Sequence, residues 1–339
     1  MRRFVLSVAV LVAACGGKGT SSSSSPPPPA FSQGEAPRAA PPSHAVGGFS
    51  IQLPSITLQP GDELQPCFVF PLTVDGPSHL VGGGSLTVGK GMHHGNITTR
   101  PKTGDGIRSC DTEKDPNIIG GEGFDVLQGG SVLFGSSTQR EGTEWQSFPD
   151  GHAFRIRDGF EIVARMHYLN TTTAPLTLAP VYAWYTVDES AVVHEIAPFI
   201  WTIRDFQIPP QATKTVTGTC RIPQGMHIVN VLPHMHKLGT ALTAGFLGGA
   251  LDGQEFLASK GYDPVNGVIR AYDPPIDLSQ GDGVTFACTW NNTLDKTITE
   301  GIGDNEMCML FGYAWPPTAT YTAVTSEVGA CVYTLPPQK

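Results

Sequence analysis

Apolar and polar side chains alternate from Phe160 to Leu169. Phe160, Ile162, Ala164 and Met166 fall on one side, and Glu161, Arg165 and His167 on the other. A period of two is the pattern of a half-buried strand. Residues 176–187, 213–222, 226–231 and 284–290 read the same way, and strand-like runs continue from Phe49 to Thr325. Turn signals separate them: Asp-Gly at 75–76, 150–151, 158–159 and 252–253, and Gly-Asp-Gly at 281–283. No long stretch has helical periodicity, and no solenoid repeat is found. The pattern predicts an all-β chain of two antiparallel β-sandwich, jelly-roll-like domains in tandem, over residues 46–195 and 196–336. No linker composition marks the boundary, which is expected within 190–200.

Composition agrees. The chain has 339 residues, enough for two domains, with 40 Gly, 29 Pro and only 15% charged residues. That suits many short strands joined by turns. A formal charge of −9 argues against a nucleic-acid surface. No phosphate-cradling glycine loop follows a strand, so a nucleotide cofactor is not expected.

The first residues read as an export signal. Arg2 and Arg3 precede an apolar run, 4–14, far too short to span a bilayer. It ends Val12-Ala13-Ala14-Cys15, which resembles a bacterial lipobox. Residues 1–15 are therefore expected to be a signal peptide with Cys15 as the lipidated residue. A plain secretory signal is the alternative, and both place the chain outside the cytoplasm. The lipobox reading makes it a membrane-anchored lipoprotein of the periplasm, outer membrane or cell surface. Residues 16–45, with Ser21 to Ser25 and Pro26 to Pro29, read as a Ser/Pro-rich linker with too little apolar surface to fold.

Six cysteines remain: Cys67, Cys110, Cys220, Cys288, Cys308 and Cys331. An even count in an oxidising compartment reads as three disulfides, with every pairing still open. No Cys-x-x-Cys supports a zinc knuckle.

The chemistry sits in the histidines. His93 and His94 are adjacent, so on a regular strand they would point to opposite faces. Both reach one metal only at a strand end, a bulge or a loop, which Gly89, Gly91 and Gly95 make easy. Taken alone, two solvent-facing histidines explain them equally well. His234 and His236 share a face if their strand is regular, close enough to chelate. His227, at odd spacing from His234, falls on the opposite face of an unbroken strand and is left out. His44, His79, His152 and His194 have no partner at chelating spacing. His167 lies on the polar side of its strand. Met307 by itself reads as core, but its soft thioether beside a His pair suits reduced copper above zinc.

Together these strings resemble the copper type II, ascorbate-dependent monooxygenases, the family of peptidylglycine α-hydroxylating monooxygenase and dopamine β-monooxygenase. Arg165-Met166-His167-Tyr168, Met226-His227, His234-Met235-His236-Lys237-Leu238-Gly239 and Glu306-Met307-Cys308 match its motifs in order, across residues 50 to 335. The resemblance implies two coppers per chain, one held by His93, His94 and His167, the other by His234, His236 and Met307. The second set would be the catalytic one. It implies disulfides Cys67–Cys110, Cys220–Cys331 and Cys288–Cys308. It also implies hydroxylation of a C–H bond of a small organic substrate by O2, with ascorbate or another one-electron reductant. A non-catalytic copper-binding or copper-handling surface lipoprotein is the alternative. The chain departs from the peptide enzymes where they grip a carboxylate: their Arg, Asn and Tyr are Leu232, Met309 and Phe311 here. A peptide terminus is therefore not the expected substrate.

Overall fold

The structure, a computed structural model, describes residues 33–35, 41–76, 78–110, 130–137, 141–221, 225–262, 269–301, 305–317, 322–326 and 332–334. The expected signal peptide, Cys15 and Cys331 lie outside these residues. The fold is all-β. Among the described residues there is no α-helix, only three short 3-10 turns at Glu189–Ala191, Gly249–Leu251 and Leu278–Gln280. No helix there is long and apolar enough to cross a membrane.

Residues Phe31–Lys339 form one compact unit built around two hydrophobic clusters. One large sheet serves both. Its strands run in the order Gln33–Glu35, Arg270–Asp277, His227–His234, Cys308–Trp315, His194–Arg204, His152–Arg155, Leu80–Val88, Val181–Val187 and Ala45–Gln52. A second sheet covers the first cluster, with Cys67–Pro71, Phe160–Leu169, Met92–Pro101 and Val132–Ser137 side by side. A third, of Ala212–Arg221, Gly283–Asn292, Gly239–Leu247 and Glu255–Ser259, covers the other cluster. The halves join through a parallel pairing, His152 opposite His194 and Phe154 opposite Ile196. The expected division near residue 195 therefore falls inside the strand His194–Arg204, within continuous sheet.

The strand Cys308–Trp315 shows how one sheet feeds two cores. Cys308, Leu310 and Ala314 bury in the second cluster, while Tyr313 buries in the first and Trp315 packs against it. Its neighbour His227–His234 carries a β-bulge between Ile228 and Asn230. Ile228 and Val231 both enter the second core, and Val229 enters the first. One extra residue inverts the alternation. His227 and His234 thus share a face, contrary to the reading of an unbroken strand, but stand at opposite ends of it.

Two further expectations are refined. The run 176–187 is two strands, Leu176–Leu178 and Val181–Val187. Pro180, which lacks an N–H, sits in the gap and gives its carbonyl to the Leu53 amide. Within the expected linker, Gln33–Glu35 pairs antiparallel with Arg270–Asp277. An edge strand needs only backbone groups, so a segment poor in apolar side chains can add there.

The polar side of Phe160–Leu169 is not a solvated face. Glu161 is 1% exposed and is bound by Arg100 Nε at 3.0 Å and Arg108 NH2 at 2.6 Å. Burial alone would raise its carboxyl; hydrogen bonds from Arg108, Arg100 and Thr103 outweigh this and hold it below the usual range. Removing one partner of such a buried pair costs about 3–5 kcal/mol. The tie fixes the strand that carries His167. Cys67–Cys110 and Cys288–Cys308 are disulfide-bonded, with Cα separations of 5.0 and 5.8 Å. Cys220 is also in a disulfide.

Candidate metal centre

The backbone solves the problem posed by adjacent histidines with a bulge. In the strand Met92–Pro101, His94 pairs with His167 and Met92 with Tyr168, so His93 is the extra residue. The bulge turns both imidazoles toward His167. Ring centroids are 5.1 Å apart for His93–His94, 4.8 Å for His93–His167 and 4.7 Å for His94–His167. One nitrogen from each lies within 4.8 Å of the others, a group that could hold one metal ion. His93 Nδ1 is buried and without a hydrogen-bond partner. The flanking glycines serve different needs. Gly91 has a φ of +101°, which a side chain would strain. Gly95 has no room for a Cβ, which would meet the Met166 methyl at 1.6 Å.

His234 and His236 come from the other half. His234 ends its strand opposite Met309, and His236 follows two residues beyond that end. Their rings are 5.3 Å apart. His236 Nδ1 lies 2.7 Å from the Asn305 carbonyl, so Nδ1–H donates and Nε2 is left for a metal. Glu306 is fully buried and accepts from the amides of His236 (2.9 Å) and Leu238 (2.7 Å) and from Trp290 Nε1 (2.9 Å). Burial raises its carboxyl above the usual range against the pull of these donors. Each hydrogen bond to a charged group contributes about 1.5–3 kcal/mol. Glu306 therefore ties the His-x-His turn to the strand that begins beside Met307. Cys308, bonded to Cys288, fixes the next residue to the opposite sheet.

The two histidine groups face each other closely. His94 and His234 have ring centroids 6.4 Å apart. Burial, then the neighbouring His234, His167, His93 and His236, lowers His94 to about 2. Burial, then His236 and His93, lowers His234 to about 3. His93 is lowered too, by burial and His167 against the opposing charge of Glu63. These imidazoles are neutral at physiological pH, which is the form that ligates a metal.

Apolar side chains flank this pocket. Phe311 stands 5.9 Å from the His234 ring, edge to face. Leu232, on the His234 side of the sheet, lies against Gly135 of the first half. Tyr168 is wholly buried in the first core, and Arg165 donates to Thr98 Oγ1 at 3.0 Å. The histidines read as ordinary stay outside the pocket. His194 and His227 stack on opposite sides of Trp315, at 4.0 and 3.7 Å, with His152 beside His194. Residue-by-residue reading missed Glu63. Its carboxylate lies 2.6 Å from His167 Nε2, and 104 residues separate the pair, so no local spacing signals it.

Residues 195–336 match the copper type II ascorbate-dependent monooxygenase, C-terminal domain. Over that stretch the chain is similar to this family's C-terminal domain, which supports the family resemblance read from the motifs. No curated protein matches the chain. Among solved structures it is similar to the major capsid protein P2 from bacteriophage PM2, at 12% identity over 83% of this chain and 98% of that one, with TM-score 0.31. Infectious bursal disease virus Gx strain aligns at 13% identity over 82% and 75%, with TM-score 0.19. Both scores are too low to bear on function. The monooxygenase family is copper- and ascorbate-dependent. The residues present fit copper: neutral imidazoles, an unsatisfied buried His93 Nδ1, and His236 with Nδ1 held by the Asn305 carbonyl so that Nε2 is the nitrogen left to ligate.

The neutral histidines have a consequence for stability. Below pH 6.5 the unfolded chain binds protons at His94 and His234 that the folded chain does not. Stability of metal-free protein should therefore fall as pH drops below about 6.5, by about 1.4 kcal/mol per pH unit for each histidine. Urea unfolding at pH 7, 6 and 5 measures this; a flat profile contradicts it. Bound copper should move the onset to lower pH, because it competes with the same protons.

Proposed function

We propose that the chain is a copper-dependent monooxygenase that hydroxylates a C–H bond of a small, neutral and preferably aromatic substrate. Its first copper would be held by His93, His94 and His167, and its second by His234, His236 and Met307. The observation that carries this reading is the convergence of His93, His94 and His167 with His234 and His236, in a chain whose residues 195–336 match the family's C-terminal domain. Inserting one oxygen atom consumes a pair of electrons and a pair of protons for each O2, yielding alcohol and water. Copper would supply one-electron transfer and O2 binding, with electrons coming from ascorbate or a similar donor. The protein's own part is to hold neutral donors in place before metal arrives. Leu232, Met309 and Phe311 would line the substrate side, shedding water and offering no partner to a carboxylate.

The 6.4 Å between His94 and His234 favours a second arrangement, a single copper shared by both groups. Metal analysis decides. With two centres, Met307→Ile should lose about one copper per chain and His94→Ala a different one. If both variants and His236→Ala lose the same single copper, the centre is shared.

Substrate class is tested by oxygen consumption of copper-loaded protein with ascorbate. Small neutral aromatic compounds should give uptake matched mole for mole by hydroxylated product, and glycine-extended peptides little. Coupled turnover of the peptides would overturn the proposed class. Uptake independent of every substrate, with both coppers bound, would favour a copper-handling protein.

We also propose export and lipid anchoring at Cys15. The Val12-Ala13-Ala14-Cys15 string and the disulfides, which persist in oxidising compartments, support it. Cys15→Ser should release the protein from the membrane fraction or block its maturation. An unmodified mature terminus elsewhere, found by mass spectrometry, would leave only export.

A further inference from the structure

The first histidine group has a neighbour that neither the motifs nor the copper reading uses. Glu63 Oε1 lies 2.6 Å from His167 Nε2. The His167 side chain is 11% exposed and that of Glu63 is 52% exposed. Among the described residues Glu63 has no ion-pair partner other than His167.

The segment that carries Glu63 is held on both sides. Glu63–Leu64 is a two-residue strand on the end of Phe160–Leu169, with Leu64 opposite Tyr168 and Glu63 opposite Leu169. Before it, Asp62 closes a tight turn by accepting from the Gln59 amide at 2.7 Å. The Gly61 amide donates to the Asn170 carbonyl, and the Asn170 amide to the Asp62 carbonyl, each at 2.9 Å. Asn170 is itself fully buried, its side chain bonded to the carbonyls of Leu58 and Ala174. After it, the Met166 amide donates to the Pro66 carbonyl, and Cys67 is tied to Cys110. A flexible surface carboxylate would wander; this one stands on backbone fixed before and after it.

We propose that Glu63 is a positioning residue for the three-histidine centre, accepting the Nε2–H of His167 so that Nδ1 is the nitrogen offered to copper. The inference rests on the copper reading of His93, His94 and His167. A carboxylate on the far nitrogen fixes the tautomer and ring orientation and makes the imidazole a stronger donor. A stronger, negatively supported donor favours Cu(II) over Cu(I). Glu63 would therefore lower the reduction potential of this centre relative to the other. His236 is oriented instead by a neutral carbonyl, that of Asn305. The two centres would thus differ in the charge behind their ligands as well as in thioether against imidazole, which suits one for giving up an electron and the other for binding O2.

Two measurements on the full chain test this. In metal-free protein, long-range nitrogen–proton NMR correlations should show His167 as the Nε2–H tautomer; Nδ1–H would overturn the proposal without any copper present. In the second, wild type, Glu63→Gln and Glu63→Ala are titrated with Cu(II) and followed by EPR. Glu63→Ala should weaken Cu(II) binding at the three-histidine centre by about 10–100-fold, the usual effect of removing such a partner. With Cu(I) affinity unchanged, that raises its midpoint potential by about 60–120 mV, at 59 mV per tenfold. Glu63→Gln keeps an acceptor without the charge and should fall between. The His234, His236 and Met307 signal should not move. Unchanged Cu(II) affinity in both variants, with wild-type thermal unfolding, would overturn the proposal alone. If His94→Ala loses no copper, the copper reading of this centre fails and this inference with it.

Discussion

The architecture depends on one constraint: the strand Cys308–Trp315 must satisfy two hydrophobic cores at once. Its even-numbered side chains bury in the second cluster, and Tyr313 and Trp315 serve the first. A slip of one residue would exchange these sets, exposing Leu310 to the wrong layer and burying the pocket side chains. Register is therefore strongly specified, and everything attached to it inherits that precision. Met307 precedes the strand, Phe311 projects beside His234, and Cys308 is locked to Cys288. The neighbouring strand His227–His234 pairs with it in register, so the His-x-His turn is placed by the same packing. Glu306 then closes the joint, because a buried carboxylate with three N–H donors tolerates little displacement.

The histidine cluster works against folding rather than for it. Burying His94 and His234 as neutral groups beside other histidines forgoes their protonation and crowds donors without acceptors. His93 Nδ1 is left buried and unpartnered. Such arrangements persist where surrounding structure over-determines them. Here the Glu161–Arg100–Arg108 ion pairs brace one strand, the Cys67–Cys110 link braces the segment next to it, and Gly95 lets Met166 pack against His94's own backbone neighbour. Donors held apart from protons and from each other's hydrogen bonds are a preorganised site. A cation, rather than water, would be the group suited to satisfy these donors.

How much of this could be read from the chain varies with the range of the interaction. Alternation at Phe160–Leu169 gave the strand and its inward face, because period two is local. The His-x-His pair and the ordered motifs gave the second-half family, which the domain match over 195–336 supports. The bulge at His93 was legible only as a requirement, that adjacent imidazoles need irregular backbone; its location came from pairing with His167. The bulge at Ile228–Asn230 was not legible at all, since nothing in Ile228-Val229-Asn230 announces it, and parity arguments across it failed for His227. The burial of Glu161 was not legible, because its partners, Arg100 and Arg108, come from other strands. Glu63 and the Asn305 carbonyl were hidden for the same reason. The shared sheet was also beyond local reading: His152–Arg155 pairing in parallel with His194–Arg204 leaves no trace in either segment.

The bulge in His227–His234 also bears on why the histidines at the two ends of that strand take different roles. Because it restores His227 to the same side of the sheet as His234, the strand presents imidazoles to the first half at both ends. At the far end, however, His227 and His194 are held apart by the indole of Trp315 lying between them, stacked on both faces. Three rings in a stack cannot converge their nitrogens on one ion. At the near end the residue opposite His234 is Met309 and the next along the strand is Phe311, both aside from the ligand positions. The interleaved aromatic at one end and the bulge at His93 on the other thus decide between packing and chelation. Identical side chains on one strand take opposite roles, and what separates them is the residue placed across the sheet.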